Sequence, residues 1–426
     1  MLIKSTRILL LSLLLSGFLK AISLYIDLNL NYILVPVFFA TSMLTLIIIS
    51  RFKFDSTALL FLIFFIASGA IFLINNSLQD NNYTGMQIFL ALFMQCILPV
   101  CFILFSCSDR ITNSPDLYNT VVNFILKLNI LVLAIYLVAI SLNYQRVINF
   151  YSELLEGGAI INPFQTSEAG ISIRFSGIFN SGFLLAAFCG LAINYVYFNR
   201  VLGRFKFQVL YSILLIIVFL TYNRNGIIAF LISTIFILIN AYFYKAYTKL
   251  IVAYFSSLIL ALFIFPVILL YYSDYFFTTI SSATDETALT KVSTLFSRIE
   301  AWIVVLKINN IKDLLIGTGL VQGLGENIDN FYVDNGYLYI LNQGGLLLLI
   351  FYIISWVMMF SSLLLGLNKC SNNILLRNEI QMCLSLIAVS MTIAFLNNFF
   401  FEPLFLILVF MKCLTVNNKI NLYYER

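Results

Sequence analysis

The chain contains no histidine. That removes the commonest general base and the commonest zinc ligand, and it argues against membrane acyltransferases that depend on a histidine. Charge is scarce too. Asp, Glu, Lys and Arg make up 10% of the residues, against about 25% in a soluble globular protein. Cysteine is present seven times, but none of the seven falls in a long loop placed outside the membrane. No disulfide framework and no thiolate metal site is suggested.

Apolar residues are abundant. They make up 62% of the chain, and the mean hydropathy is +1.00. This composition describes a polytopic membrane protein, for which counting domains by length does not apply. The first apolar stretch begins at Ile8, behind Lys4 and Arg7. It has the charged start of a signal peptide, but no small-residue cleavage site follows and many more spans do. It reads as a retained first helix. Heavy use of Ile, Asn, Phe and Tyr points to an AT-rich gene and a bacterial source.

A membrane-spanning helix needs about 20 mainly apolar residues. Twelve such stretches are expected: 8–26, 32–50, 57–74, 86–105, 120–142, 177–198, 208–222, 226–244, 250–270, 345–366, 382–400 and 403–416. None has the period-two alternation of a barrel strand. The expected fold is all-α, a bundle of about 12 transmembrane spans forming a single integral membrane domain over residues 1–426.

Orientation follows from Lys and Arg, which collect on the cytoplasmic side. With the N-terminus inside, the inner face holds 16 of the 24 basic residues and five of the 19 acidic ones. The balance is +11 inside against −6 outside, so both termini are expected in the cytoplasm. The inner loops are then short. Two outer loops are long, 143–176 and the larger 271–344. No internal repeat is visible, unlike the mirrored halves of many carriers. Mass on one face suggests chemistry or recognition at the outer membrane surface.

The larger loop has a pattern of its own. Val292, Leu295, Phe296, Ile299, Trp302, Ile303 and Leu306 recur at helical spacing, with Arg298 and Glu300 on the flanks of that face. An amphipathic helix is expected, lying along the membrane surface or capping the bundle. Gly317, Gly319, Gly323 and Gly325 follow. Without a preceding strand they make a poor phosphate loop.

The stretch "LTYNRNG", Leu220 to Gly226, is a tight turn between two apolar runs. It puts Arg224 on the outer side, where basic residues are few. Arg224 is either a headgroup anchor that snorkels from the turn or a site residue. Arg174 is either a loop charge ahead of a helix or a second site residue, and Arg298 either a solvated flank or a third.

Taken in order, five strings resemble those of the O-antigen polymerase and O-antigen ligase superfamily of bacterial inner membranes. "RFSGIFNSG", Arg174 to Gly182, resembles the arginine-glycine stretch leading out of the first long loop. "TYNRNG" resembles the Thr-x-Ser-Arg turn between two later spans. "SRIEAW", Ser297 to Trp302, resembles the Arg-x-x-x-Trp start of the loop helix. "LLIGTGL" resembles the Gly-x-Gly behind it, and "DNGYLYILNQGG" the His-Asn-x-Tyr-Leu string at the loop's end. Two departures stand out. Asn223 replaces the common Ser, and Asp334 stands where ligases carry a histidine believed to help activate the acceptor. The second departure favours polymerase over ligase.

The resemblance implies a multi-pass protein of the bacterial inner membrane. Its donor would be an oligosaccharide on undecaprenyl pyrophosphate, held among membrane lipid. A separate chain-length regulator would be its partner, and no metal, nucleotide cofactor or nucleic acid is implied. Charge builds on the pyrophosphate as the glycosidic bond breaks, and fixed cations stabilise that transition state. Arg174, Arg224 and Arg298 are the expected catalytic and phosphate-binding residues, since arginine stays charged and pairs bidentately with phosphate oxygens. Asp334 is the leading candidate for the proton acceptor, with Glu300 and Glu402 as alternatives. Asn335 and Tyr337 are expected to bind substrate; tyrosines near the surface stack on sugars or serve only as interfacial anchors. A lipid-linked oligosaccharide flippase is the alternative from another class.

Overall fold

Apolar helices dominate the computed structural model. It describes residues 2–15, 39–78, 85–112, 117–141, 164–167, 170–173, 175–199, 203–272, 335–397 and 400–424 with isolated gaps, together with scattered positions between 299 and 318. Helix α1 (Leu2–Leu14) is followed by α2 (Ser56–Leu78), α3 (Gln87–Cys107) and α4 (Leu117–Ser141). A short antiparallel hairpin comes next, β1 (Phe164–Ser167) and β2 (Gly170–Ile173). Then come α5 (Gly182–Phe198), α6 (Arg204–Leu220), α7 (Arg224–Tyr242) and α8 (Tyr244–Tyr271). The short α9 (Ile311–Ile316) precedes α10 (Gly336–Lys369), α11 (Ile374–Leu396) and α12 (Pro403–Tyr423).

Among the described residues, eight helices are long and apolar enough to cross a membrane, and α5 is a shorter apolar helix. The fold is an all-α polytopic bundle. The expected spans from 57 onward each coincide with a helix. Those at 8–26 and 32–50 lie partly outside the described residues. The hairpin falls in the first long loop, where no strand was expected. Its residues pair in register from Phe164–Ile173 to Ser167–Gly170.

Burial separates the centre of the bundle from its rim. The most apolar stretch of α12 is 89% buried and that of α11 is 78%, whereas α8 reaches 11%. In a bilayer, apolar side chains gain little from leaving lipid, so close packing of small residues holds such helices together. The α5–α7 crossing works this way. A Cβ on Gly226 would lie 2.0 Å from that of Ala186, and one on Gly190 would lie 3.2 Å from the Ala229 backbone.

Two π-helical turns, Phe93–Ile97 in α3 and Leu406–Met411 in α12, interrupt the regular ladder. Backbone carbonyls displaced by such a turn need donors, because lipid supplies none. Tyr195 donates its hydroxyl to Leu408 at 2.5 Å, and Ser106 and Tyr118 donate theirs to Met411 at 3.1 and 3.2 Å.

Hydrogen bonds define the two ends of the bundle. At one end Asp55 accepts from the backbone N–H of Ala58 and from the Asn417 and Asn421 amides of α12, while the Lys53 N–H donates to Cys107. The other end carries the turn from α11 to α12 that holds Glu402.

Candidate active site

The Glu402 end is assembled from the strings singled out in the sequence. In the turn between α6 and α7, Thr221 donates to the Val218 carbonyl at 2.7 Å and accepts from the Asn223 N–H at 3.3 Å. Asn223 caps α7 by accepting from the Gly226 N–H at 2.9 Å. Asparagine and serine are comparable N-caps, so the departure at Asn223 preserves the local job. Arg224 becomes the first residue of α7. It is exposed and makes no ion pair with a described residue. Gly226 is small because Ala186 lies against it.

The first string is laid onto this turn. The N–H of Phe175 donates to the Leu220 carbonyl at 2.9 Å, and a Cβ on Gly182 would meet the Thr221 carbonyl at 3.1 Å. Asn129 of α4 accepts from the Ile178 N–H at 3.2 Å beside Gly177, whose φ is +59°. Arg174 lies outside the described residues, but its neighbour Phe175 is tied to the last residue of α6.

The last string meets the same helix end. Asn335 caps α10, accepting from the N–H groups of Tyr337 and Leu338 at 3.0 and 3.1 Å. Its amide donates to the Phe395 carbonyl at 3.1 Å, and that of Asn225 donates to the adjacent Leu396 carbonyl at 2.9 Å. The final carbonyls of a helix have no partner within it. At α11 they receive one asparagine from each of two distant strings. Tyr337 is buried, and its hydroxyl donates to the Met391 carbonyl at 3.1 Å. Asn335 and Tyr337 are thus enclosed by protein, and their polar groups are engaged inside the bundle. Asp334 lies outside the described residues.

The helix expected in the larger loop is described at Ile299, Trp302, Ile303, Val305 and Leu306. Trp302 and Val305 pack with Leu269, Leu338, Tyr339 and Leu341, and Trp302 meets Phe265 edge-on at 5.5 Å. In this part the apolar face caps the bundle. Arg298 and Glu300, which flank it, lie outside the described residues.

The Gly-x-Gly string is a backbone-to-backbone crossing. Gly317 and Gly345 have φ of +73° and +68°, the region open to glycine. A Cβ on Gly345 would lie 2.3 Å from the Leu315 carbonyl, and one on Gly317 would lie 2.5 Å from Gln343. Thr318 donates its N–H to Asn342 at 2.7 Å. The Asn75 amide donates to the carbonyls of Ile316 and Gly317 at 3.0 and 3.2 Å. Gly345 is also the break in α10.

Sequence reasoning missed a polar cluster beneath this crossing. The Gln95 amide, in the first π-helical turn, donates to the Tyr339 hydroxyl at 2.8 Å, and Gln343 donates to Gln95. Amides within a membrane are costly and often functional. Gln95 and Asn75 inside otherwise apolar runs were the available signal.

Glu402 completes the end. Its flanking aromatics are fixed: Phe400 packs on Tyr337 and Tyr352, and Phe401 on Phe65 and Tyr339. The carboxyl has no described hydrogen-bond partner, and burial pushes its pKa up to about 7. A carboxylate titrating near neutrality is suited to taking a proton from a hydroxyl. An exposed guanidinium, a carboxyl without a described partner, and buried amides and tyrosines at the same end suit chemistry on an anionic, hydroxyl-rich substrate.

Residues 209–353 match the O-antigen ligase family. This supports the O-antigen polymerase and ligase superfamily. The matched third of the chain runs from α6 into α10 and contains the Arg224 turn, the loop helix, the Gly317 crossing and the Asn335 cap. It supports glycosyl transfer of the polymerase or ligase kind and is compatible with both. No curated protein and no solved structure matches the chain.

Proposed function

We propose that the chain is a polymerase of O-antigen or a related surface polysaccharide in the bacterial inner membrane. It transfers the growing glycan from undecaprenyl pyrophosphate to the non-reducing end of a new lipid-linked repeat unit. Both termini face the cytoplasm, and the Glu402 end faces the periplasm. The supporting observation is that Asn225 and Asn335 grip adjacent carbonyls at the end of α11. Strings far apart in sequence thereby meet at one end of the bundle.

In this reading the polyprenyl tail stays in the bilayer and the pyrophosphate lies at headgroup depth. The acceptor hydroxyl attacks the anomeric carbon while the bond to the pyrophosphate oxygen breaks. Arg224, with Arg174 and Arg298, takes up the charge developing on that oxygen. A carboxylate accepts the hydroxyl proton. Asp334 and Glu300 remain candidates, and Glu402 is the one whose surroundings are described. Asn335 and Tyr337 hold the start of α10 in place for substrate. A separate chain-length regulator sets product size.

The match to the O-antigen ligase family favours a second reading, the ligase that passes the finished chain to lipid A-core. The chain has no histidine to serve as the ligase's acceptor-activating group, and Asp334 occupies the matching place. Reconstitution separates the two. Purified protein in liposomes, given only a pyrophosphate-linked repeat unit, should lengthen it. Elongation that requires added lipid A-core, with a single transfer per acceptor, would establish the ligase instead.

A further inference from the structure

At the Asp55 end, far from the Glu402 turn, α6 and α7 part. The tight Thr221–Asn223 turn joins them at one end. At the other they leave a groove of about 530 Å³ closed by the last turn of α5 and the start of α11. Phe207 and Leu238 are among its apolar walls, and its polar lining includes Tyr197, Arg204, Gln208, Asn240 and Asn378.

Three features of the groove identify its occupant. Arg204 is exposed and forms no ion pair with a described residue. The acidic neighbour of Asn378, Glu379, is already held by Lys412 and Lys419, each at 2.9 Å. The groove therefore presents uncompensated positive charge. Next, the Asn240 side chain accepts the Tyr197 hydroxyl at 3.4 Å, but its own N–H groups are buried and donate to no described residue. A buried donor without an acceptor is costly, and a phosphate oxygen would supply one. Finally, the groove opens onto one apolar face of α7, where Leu231, Ile235 and Leu238 are all exposed. These give acyl chains a continuous surface leading away from the charge, with Tyr242 exposed at the rim as interfacial tyrosines are.

The geometry points to a binding site for an anionic glycerophospholipid. Its phosphodiester is held by Arg204 and Asn240, and its acyl chains lie along that face of α7. Cationic pockets between spans commonly select such headgroups. The site is separate from the proposed glycosyl-transfer site and stands whether or not that reading does.

Native mass spectrometry of the detergent-purified full chain tests this, with phosphatidylglycerol and phosphatidylcholine of identical acyl chains as probes. One phosphatidylglycerol should bind per chain, roughly ten-fold tighter than phosphatidylcholine. Arg204→Gln should reduce that preference toward unity, and Asn240→Leu should weaken binding of both lipids, which share the phosphodiester. Lys249→Ala, an exposed cation outside the groove, should do neither. Gel filtration and melting temperature confirm that each variant is folded. Equal binding of the two lipids would overturn the site. Equal losses in the Arg204 and Lys249 variants would also overturn it, replacing it with diffuse surface attraction. Binding of glycerol 3-phosphate as tight as that of the lipid would overturn the acyl surface on α7.

Discussion

Glu402→Gln separates function from stability in opposite directions. The carboxyl's ordinary pKa is 4.5, and burial raises it to about 7. The sign follows directly. The folded state holds the proton more tightly than the unfolded state, so stability falls as pH rises from about 4.5 through 7. The rise corresponds to up to about 3 kcal/mol lost by pH 8. Because Glu402 is only partly buried by area, solvent screening reduces this to about 1–2 kcal/mol. Glutamine keeps the shape and never ionises. The variant should therefore melt at a higher temperature than the parent at pH 8 and at the same temperature at about pH 4 or below. Elongation of a lipid-linked repeat should behave oppositely. In the parent its rate should climb with pH through about 7 as the carboxylate forms; in the variant that rise should vanish with most of the rate. A stabilised variant with full activity and an unchanged pH profile would refute the role of Glu402 as proton acceptor. A variant no more stable at pH 8 would refute its costly burial.

Arg174→Ala, Arg224→Ala and Arg298→Ala should each cut polymer formation on the order of 100- to 1,000-fold while the protein still reaches the membrane; radiolabelled product gels read this out. Lysine should rescue poorly because it lacks the two-pronged geometry, and normal chain lengths in all three alanine variants would reduce these residues to anchors. Gly226→Val places a side chain where Ala186 already lies 2.0 Å from the added Cβ, and should lower stability by about 1–3 kcal/mol or more, measured by thermal unfolding in detergent. Gly345→Ala combines positive φ with a 2.3 Å approach to Leu315, and should likewise destabilise the crossing. A reporter active only in the cytoplasm should be silent when fused near Glu326; activity there would overturn the proposed orientation.

The helices were legible because an apolar run of membrane length has few alternatives in lipid. Their starts were less so. The span expected at 345–366 begins nine residues earlier, at Gly336, because Asn335 caps a helical segment that continues to the break at Gly345. That break depends on Leu315 lying against Gly345, a contact no local pattern announces. The cluster was legible as strings but not as geometry. Nothing in "TYNRNG" reveals that Asn225 reaches Leu396, or in "DNGYLY" that Asn335 reaches Phe395. Tyr337 looked like a surface tyrosine and is buried against Met391. Gln95 was passed over because one amide barely alters the hydropathy of a span, although its partners Tyr339 and Gln343 lie more than 240 positions away.

The lipopolysaccharide gel of a strain lacking this gene tests the polymerase assignment most directly. A polymerase acts after the repeat unit has crossed the membrane and before it is joined to lipid A-core. Without it, single units still reach the core, so the gel should show core plus one repeat and no ladder. Loss of a ligase or of a flippase would leave bare core. A bare-core band in the deletion strain would therefore contradict the account.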